Sequence, residues 1–168
     1  FIQRYDKVIV SLEDYKLPGI PNQIVFPPAI DPLSPKNRHL PPSAVRRAVE
    51  AMGIPRDRPF VLLVGRYDKW KGHLTLMRAF RRVLAREKCR LVCCGDLADD
   101  DPEGKLIYDK LVLENRRLIE RKQVILLLGR TQEEVNALQR AATIVVQPSL
   151  KEGFGLSLTE AAYKKKPI

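Results

Sequence analysis

The chain has 168 residues, 45% of them hydrophobic and 30% charged, which suits one globular domain and excludes wholesale disorder, collagen-like repetition and a disulfide-stapled miniprotein. Thirty Lys and Arg against twenty Asp and Glu give a net charge of +10, which attracts nucleic acid, acidic headgroups or phosphorylated small molecules without choosing among them. No apolar run exceeds strand length, Val124 to Leu128 being among the longest, so no membrane span is expected.

In chain order, Val8-Ile9-Val10 and Ile24-Val25-Phe26 read as short strands, and most of the thirteen prolines lie between and after them. Proline fixes φ and removes a donor, so residues 1–59 read as an extended, proline-rich hinge or entry segment. It carries one helix, with Ser43 as N-cap, Val45, Val49 and Met52 on one face and Gly53 as its stop. A regular alternation begins at Phe60. Phe60–Val64 is an apolar strand and is followed by a helix over 74–86. Leu91–Cys94 is the next strand and precedes a helix around 106–119. Val124–Leu128 is the third, and Thr131 with Glu134 three residues on forms a capping box. Ile144–Val146 is the fourth strand, and a helix over 155–165 ends in Lys164-Lys165-Lys166, read as a solvated end. Pro167-Ile168 reads as entry to a further strand.

Apolar strands without alternation, each followed by a helix, predict an α/β domain over 60–168: a Rossmann-like parallel sheet with helices on both faces. Ligands of such sheets bind beyond the carboxyl ends of the strands, where helix N-termini collect.

Two stretches there carry chemistry. Gly65-Arg66-Tyr67-Asp68-Lys69-Trp70-Lys71-Gly72 places three cations between glycines just before a helix, and Arg and Lys together suit a diphosphate. The plain alternative is a solvated basic loop. Lys151-Glu152-Gly153-Phe154-Gly155-Leu156-Ser157-Leu158-Thr159-Glu160 sets two carboxylates around a G-x-G helix entry. Glycines admit close backbone approach to a ligand, and free N–H groups at the helix start favour an anion. Two acids flanking a phosphate site suit a nucleotide-sugar, which has hydroxyls on both sides of its diphosphate. Taken singly, either Glu only complements the helix dipole.

Other features have blander readings. Asp96 with Asp99-Asp100-Asp101 suggests a divalent cation, or more simply a solvated loop. His73, directly after the basic loop, suggests a phosphate or hydroxyl contact, or more simply a helix-start histidine, and Trp70 reads as packing on the sheet. Cys93 and Cys94 point to opposite faces of a strand, so with Cys89 they form neither a disulfide nor a metal set, and a reduced, cytoplasmic compartment is expected. The chain lacks an initial Met and a leader, and reads as an excerpt without a signal peptide.

Glu152-Gly153-Phe154-Gly155-Leu156 through Glu160, with Gly65-Arg66 and Lys71-Gly72 about 80 residues earlier, resembles the C-terminal nucleotide-binding domain of the retaining family-four glycosyltransferases of the GT-B fold. Within them, Pro27–Ser34, Tyr67–Gly72 and Asp100–Gly104 are similar to the trehalose synthases, which join NDP-glucose to glucose. The resemblance implies that Arg66 and Lys71 bind the donor diphosphate and that Glu152 faces the donor hexose. It gives Glu160 the ribose hydroxyls, and Gly65 with the backbone of Gly153, Phe154, Gly155 and Leu156 the sugar and phosphates. The segment around Leu128, Gly129 and Arg130 then borders the base. It further implies no obligatory metal, Mg²⁺ being compatible but not required. A sugar acceptor would be held by an N-terminal domain not represented here, so that this segment alone should not turn over, and oligomers are compatible. The chain would be the C-terminal half of such an enzyme, stopping short of its last strand and helices. The competing readings are a basic nucleic-acid-binding module, against which no helix-turn-helix, zinc or RNP pattern is found, and a disaccharide phosphorylase using the same pocket for phosphate.

Overall fold

The computed structural model describes residues 2–97 and 102–168. Asp99, Asp100 and Asp101, named above for a cation and for the trehalose-synthase likeness, lie outside the described residues.

Two short strands, β1 (Val8–Val10) and β2 (Gln23–Val25), pair in parallel. The first long helix, α1, runs Pro42–Ala51, and its N-cap is Pro41 rather than the expected Ser43. Pro42 at the first helical position explains the earlier start, because its ring presets φ and its missing N–H would have had no partner there. Gly53 ends the helix at φ +73, as its position suggested.

A second, larger sheet follows. Its strands are β3 (Phe60–Val64), β4 (Arg90–Cys94), β5 (Val124–Leu127) and β6 (Ile144–Val145), all parallel and in the order β5-β4-β3-β6. The helices between them are α2 (His73–Leu84), α3 (Pro102–Glu114), α4 (Arg116–Glu120) and α5 (Gln132–Ala141), with α6 (Leu156–Tyr163) after β6. Successive strand residues bury to opposite sides. Leu62, Val92 and Cys94 pack with Val49 of α1, Leu138 of α5 and Ala161 of α6. Leu63, Leu91 and Cys93 pack with Met77 and Phe80 of α2 and Leu111 of α3. Both faces are covered, which is why the strands read as unbroken apolar runs; each fully buried aliphatic side chain there contributes roughly 1.5–3 kcal/mol. Cys93 and Cys94 do face opposite ways, and all three cysteines are free and buried.

The helix expected around 106–119 is two helices. Asn115 breaks it: its side-chain amide donates to the Leu111 carbonyl at 2.8 Å and its oxygen accepts from Arg81 at 2.7 Å. An Asn that binds a nearby carbonyl with its own side chain competes with the helical ladder. Thr131 and Glu134 form the expected reciprocal cap of α5.

Strand order decides where a ligand can sit. The chain moves outward from β3 through β4 to β5, then returns to the other side of β3 for β6. The connections after β3 and β6 therefore leave in opposite directions and open a crevice between them, the usual binding place in such sheets.

Candidate functional site

The loop after β3 is organised by a residue the sequence did not single out. Asp68 is 8% exposed, and its Oδ1 accepts from the backbone N–H of Trp70 at 2.8 Å and of Lys71 at 2.9 Å. That Asx-type turn leaves Arg66 and Lys69 outward, each paired at the surface, Arg66 with Asp68 at 4.0 Å and Lys69 with Glu103 at 3.1 Å. Tyr67 turns inward instead. Its hydroxyl donates to the carbonyls of Cys93 at 3.0 Å and Leu127 at 3.3 Å, and burial raises its pKa far above the usual phenol value. Trp70 does not pack on the sheet as expected: it is 41% exposed, with the ammonium groups of Lys69 and Lys151 at 5.1 and 4.9 Å from its ring. The turn of β6 into α6 contained the sequence signal for its neighbours; for Asp68 the only signal was an Asp two and three residues ahead of N–H groups in a glycine-bracketed loop.

The loop after β6 closes on this one. Glu152 accepts from Lys71 Nζ at 2.7 Å, from Ser149 at 3.3 Å, from its neighbour Gly153 N–H at 3.1 Å and from Gln147. Burial pushes its carboxyl up, but the Lys71 hydrogen bond and charge, with the Gly153 and Ser149 donors, leave it below the ordinary carboxylate value. Backbone contacts hold the two loops together. Leu150 N–H donates to the Trp70 carbonyl at 2.7 Å, and Gly72 passes so near Pro148 that a Cβ there would stand 2.2 Å from its carbonyl oxygen. Helices α2 and α6 begin at Gly72 and Gly155, both left-handed (φ +72 and +81) and both without a side-chain cap, so first-turn N–H groups are left for an anion.

At the β4 and β5 ends, Asp96 is a strut: its Oδ1 accepts from Gly129 N–H at 2.8 Å, and its carbonyl accepts from Tyr67 N–H at 3.1 Å. Among the described residues, no three His, Cys, Asp or Glu side chains stand together as a metal site. Leu128 packs into the core on the α2 side, and its carbonyl accepts from Arg130 at 2.9 Å.

Three adjoining cavities bring the predicted residues together. One of about 280 Å³ is lined by Gly65, Lys71, Glu152, Phe154, Gly155 and Leu156. A second of about 380 Å³ lies against Arg66, Lys71, Glu152, Gly153 and Trp70. A third of about 300 Å³ lies between Gly65, Arg66, Gly95, Asp96 and Arg130. Leu128, Gly129 and Glu160 are not among the residues lining them.

Glu160 is 5% exposed and lies behind the cavities, paired with Lys36 at 3.0 Å and accepting from Gln139 at 3.1 Å. Lys164, expected to be solvated, is buried instead: its ammonium donates to Asn37 at 2.8 Å and Gln139 at 2.7 Å. Burial lowers its pKa to about 8, with Glu160 opposing and Arg140 and Lys36 adding to the shift. Lys36 and Gln139 were invisible to sequence reasoning and Lys164 was read as solvated, since nothing local ties residue 36 to residues 139 and 160.

His73 carries a pH signature. It is 1% exposed and stacked on Tyr67 at 4.7 Å, and both ring nitrogens are buried without a well-formed hydrogen bond among the described residues. Burial lowers its pKa to about 4, with the Asp68 carboxylate opposing. Below pH ~6.5 the unfolded chain takes up a proton that the folded ring refuses until about pH 4, so stability is complete above the unfolded value and falls as pH drops between the two. His73→Phe is expected to remove about 2–3 kcal/mol of the stability lost between pH 7.5 and 4.5, read as urea midpoints at the two values. An unchanged pH dependence would refute the assignment.

Known proteins share this chain's sequence pattern and fold. The family described as "Glycosyl transferases group 1" matches residues 46–168. Trehalose synthase of Thermococcus litoralis is 35% identical over the whole chain, which covers 42% of that relative. Trehalose synthase of Rubrobacter xylanophilus is 37% identical, again over the whole chain and 41% of the relative. The chain thus spans about two fifths of the length of these curated relatives. Among solved structures, sucrose-phosphate synthase of Thermosynechococcus elongatus superposes with a TM-score of 0.76 at 24% identity, over 99% of this chain and 40% of that one, which shows the same fold.

Proposed function

Because the chain belongs to the glycosyl transferases group 1 family, we propose that it is the donor-binding domain of a retaining GT-B glycosyltransferase that uses NDP-glucose in the manner of a trehalose synthase. The observation that carries this reading is the contact of Lys71 with Glu152 at 2.7 Å across the crevice between β3 and β6, flanked by two uncapped helix starts. It joins a cation for the diphosphate and an acid for the hexose in one place, 81 residues apart in sequence.

In this reading the diphosphate lies over the N-terminus of α6, where Lys71 exchanges Glu152 for phosphate oxygens and Arg66 swings in from the surface. Both offset the charge that grows on the leaving nucleotide. Glu152 keeps its place without Lys71, since Ser149, Gln147 and the Gly153 N–H still hold it. The acceptor hydroxyl attacks C1 of the donor from the face the diphosphate leaves. The C1–O bond to the phosphate breaks as the new glycosidic bond forms, and the hydroxyl proton passes to the departing diphosphate oxygen, so configuration is retained. The acceptor itself would be held by a domain outside these residues. A cytoplasmic setting fits three free, buried cysteines, two of them with thiols pushed up to about 12 by burial and by neighbouring charge. No described helix is long and apolar enough to cross a membrane.

Titration calorimetry with UDP, ADP and their glucose conjugates tests the reading. Micromolar to millimolar binding is expected, weakened about 1–2 kcal/mol by Glu160→Ala through loss of hydrogen bonds to a charged acceptor. Binding of inorganic phosphate but no nucleotide would favour the phosphorylase reading instead. Steeply salt-dependent DNA binding without nucleotide affinity would favour the nucleic-acid reading.

A further inference from the structure

A carboxylate meant for ribose hydroxyls is almost fully covered and engaged on both oxygens. Glu160 Oε1 stands 3.0 Å from the Lys36 ammonium, and Oε2 accepts from Gln139 Nε2 at 3.1 Å. Gln139 cannot turn its amide around. Lys164 is a donor only, and it holds the Gln139 oxygen at 2.7 Å, so the amide NH₂ must face Glu160. Lys164 is held in turn by Asn37 Oδ1 at 2.8 Å. Both arms of this clamp thus begin at neighbouring residues, 36 and 37.

That stretch of the proline-rich segment is fixed to the domain. Asn136 donates to the carbonyls of Pro35 at 3.0 Å and Arg38 at 2.8 Å, and Arg140 donates to the Asn37 carbonyl at 2.9 Å. Lys36 also lines both the cavity beside Lys71 and Gly155 and the cavity beside Gly95 and Arg130, as do Val64 and Gly65. Lys36 therefore lies where those two cavities meet, which in the donor-domain reading is where a nucleotide's ribose would lie, with its ammonium turned toward Glu160.

We propose that Lys36 is the positioning residue for ribose recognition: it holds the Glu160 carboxylate in one plane, so that the remaining lone pairs of its two oxygens accept from the ribose hydroxyls. The inference rests on the donor-domain reading above. A carboxylate oxygen has about two acceptor positions, and one on each oxygen is used internally, which leaves room for a vicinal diol. An ammonium at 3.0 Å offsets the charge of a group with little water around it, and a carboxylate held still before binding loses less freedom on binding.

Calorimetry on the 168-residue chain decides it, using ADP and UDP, their 2′,3′-dideoxy counterparts and inorganic pyrophosphate. The wild type should prefer the ribonucleotide over its dideoxy analogue about tenfold. Lys36→Met should cut that preference to about twofold while leaving pyrophosphate and dideoxynucleotide affinity unchanged, and Lys36→Arg should restore most of it. A preference unchanged in Lys36→Met overturns the inference and leaves the donor reading standing. Equal weakening toward all three ligands also overturns it, since Lys36 would then contact phosphate directly. A wild type that binds no nucleotide sinks the donor reading and this inference together. Circular dichroism checks folding, and Lys36→Gln takes the place of Lys36→Met if the latter is unfolded; loss of fold in both would make the role structural and refute the proposal.

Discussion

Gly95→Ala is expected to destabilise the domain by about 3 kcal/mol or more, the upper end of what overpacking costs. A Cβ at residue 95 would stand 2.0 Å from the Gly65 carbonyl oxygen, 2.7 Å from its carbon and 3.2 Å from Arg66 N, all backbone atoms that no rotamer change can move. Gly65 and Gly95 leave the ends of neighbouring strands β3 and β4 in register, each donating its N–H to the next strand, to Cys94 at 3.0 Å and to Leu127 at 3.2 Å. Relief would have to come from spreading those strands where the site is built. For a chain of this length the loss corresponds to a melting temperature lower by roughly 6–12 °C, measured by circular dichroism. Gly153→Ala is the control: its added Cβ meets nothing within 4 Å, and its φ is not left-handed, so the melt should hardly move. Equal melts for the two variants would show that β3 and β4 give way more easily than their contact implies.

Lys71→Ala is expected to have the largest effect on ligand affinity, weakening UDP- or ADP-glucose by about 2–3 kcal/mol. Two effects act in the same direction. A charge-assisted hydrogen bond to phosphate is lost, and Glu152, held at 2.7 Å by Lys71 in the unliganded site, is left facing the diphosphate without a cation between them. A second substitution, Glu152→Gln, separates the two, because it removes the repulsion and should return part of the affinity in the double variant. Folding should change by no more than about 1 kcal/mol, as this ion pair is partly exposed, its side chains 22% and 31% accessible. Calorimetry beside a melt distinguishes the outcomes, and an affinity indifferent to Lys71 would remove the diphosphate from this loop.

The fold class was readable because it rests on local pattern. Phe60–Val64, Leu91–Cys94, Val124–Leu128 and Ile144–Val146 are apolar without alternation, and only a sheet covered on both faces accepts such strands. Thr131 with Glu134 marked a helix start for a reason confined to four residues. Errors came where two local signals competed: Pro42 against Ser43 for the start of α1, and helical periodicity against the side chain of Asn115 in the 106–119 region. The basic loop and the turn that carries Glu152 and Glu160 around its G-x-G entry stood out as candidate chemistry, since their residue types sit in glycine-bracketed runs at strand ends.

Side-chain direction was not legible. Trp70 faces solvent beside two lysines, Lys164 is buried, and Tyr67 spans the ends of two strands, none of which follows from the residues beside them. By itself the sequence determined the parallel α/β sheet, the strand ends where a ligand can lie and the charged and glycine residues placed there, because period, caps and turn chemistry act over a few residues. Only the tertiary structure decided that β6 returns beside β3, so that Lys71 meets Glu152, and that Lys36 reaches Glu160 from 124 positions away. Those meetings depend on strand order and on what each helix covers, which the packing of the whole chain selects and no short window of residues encodes.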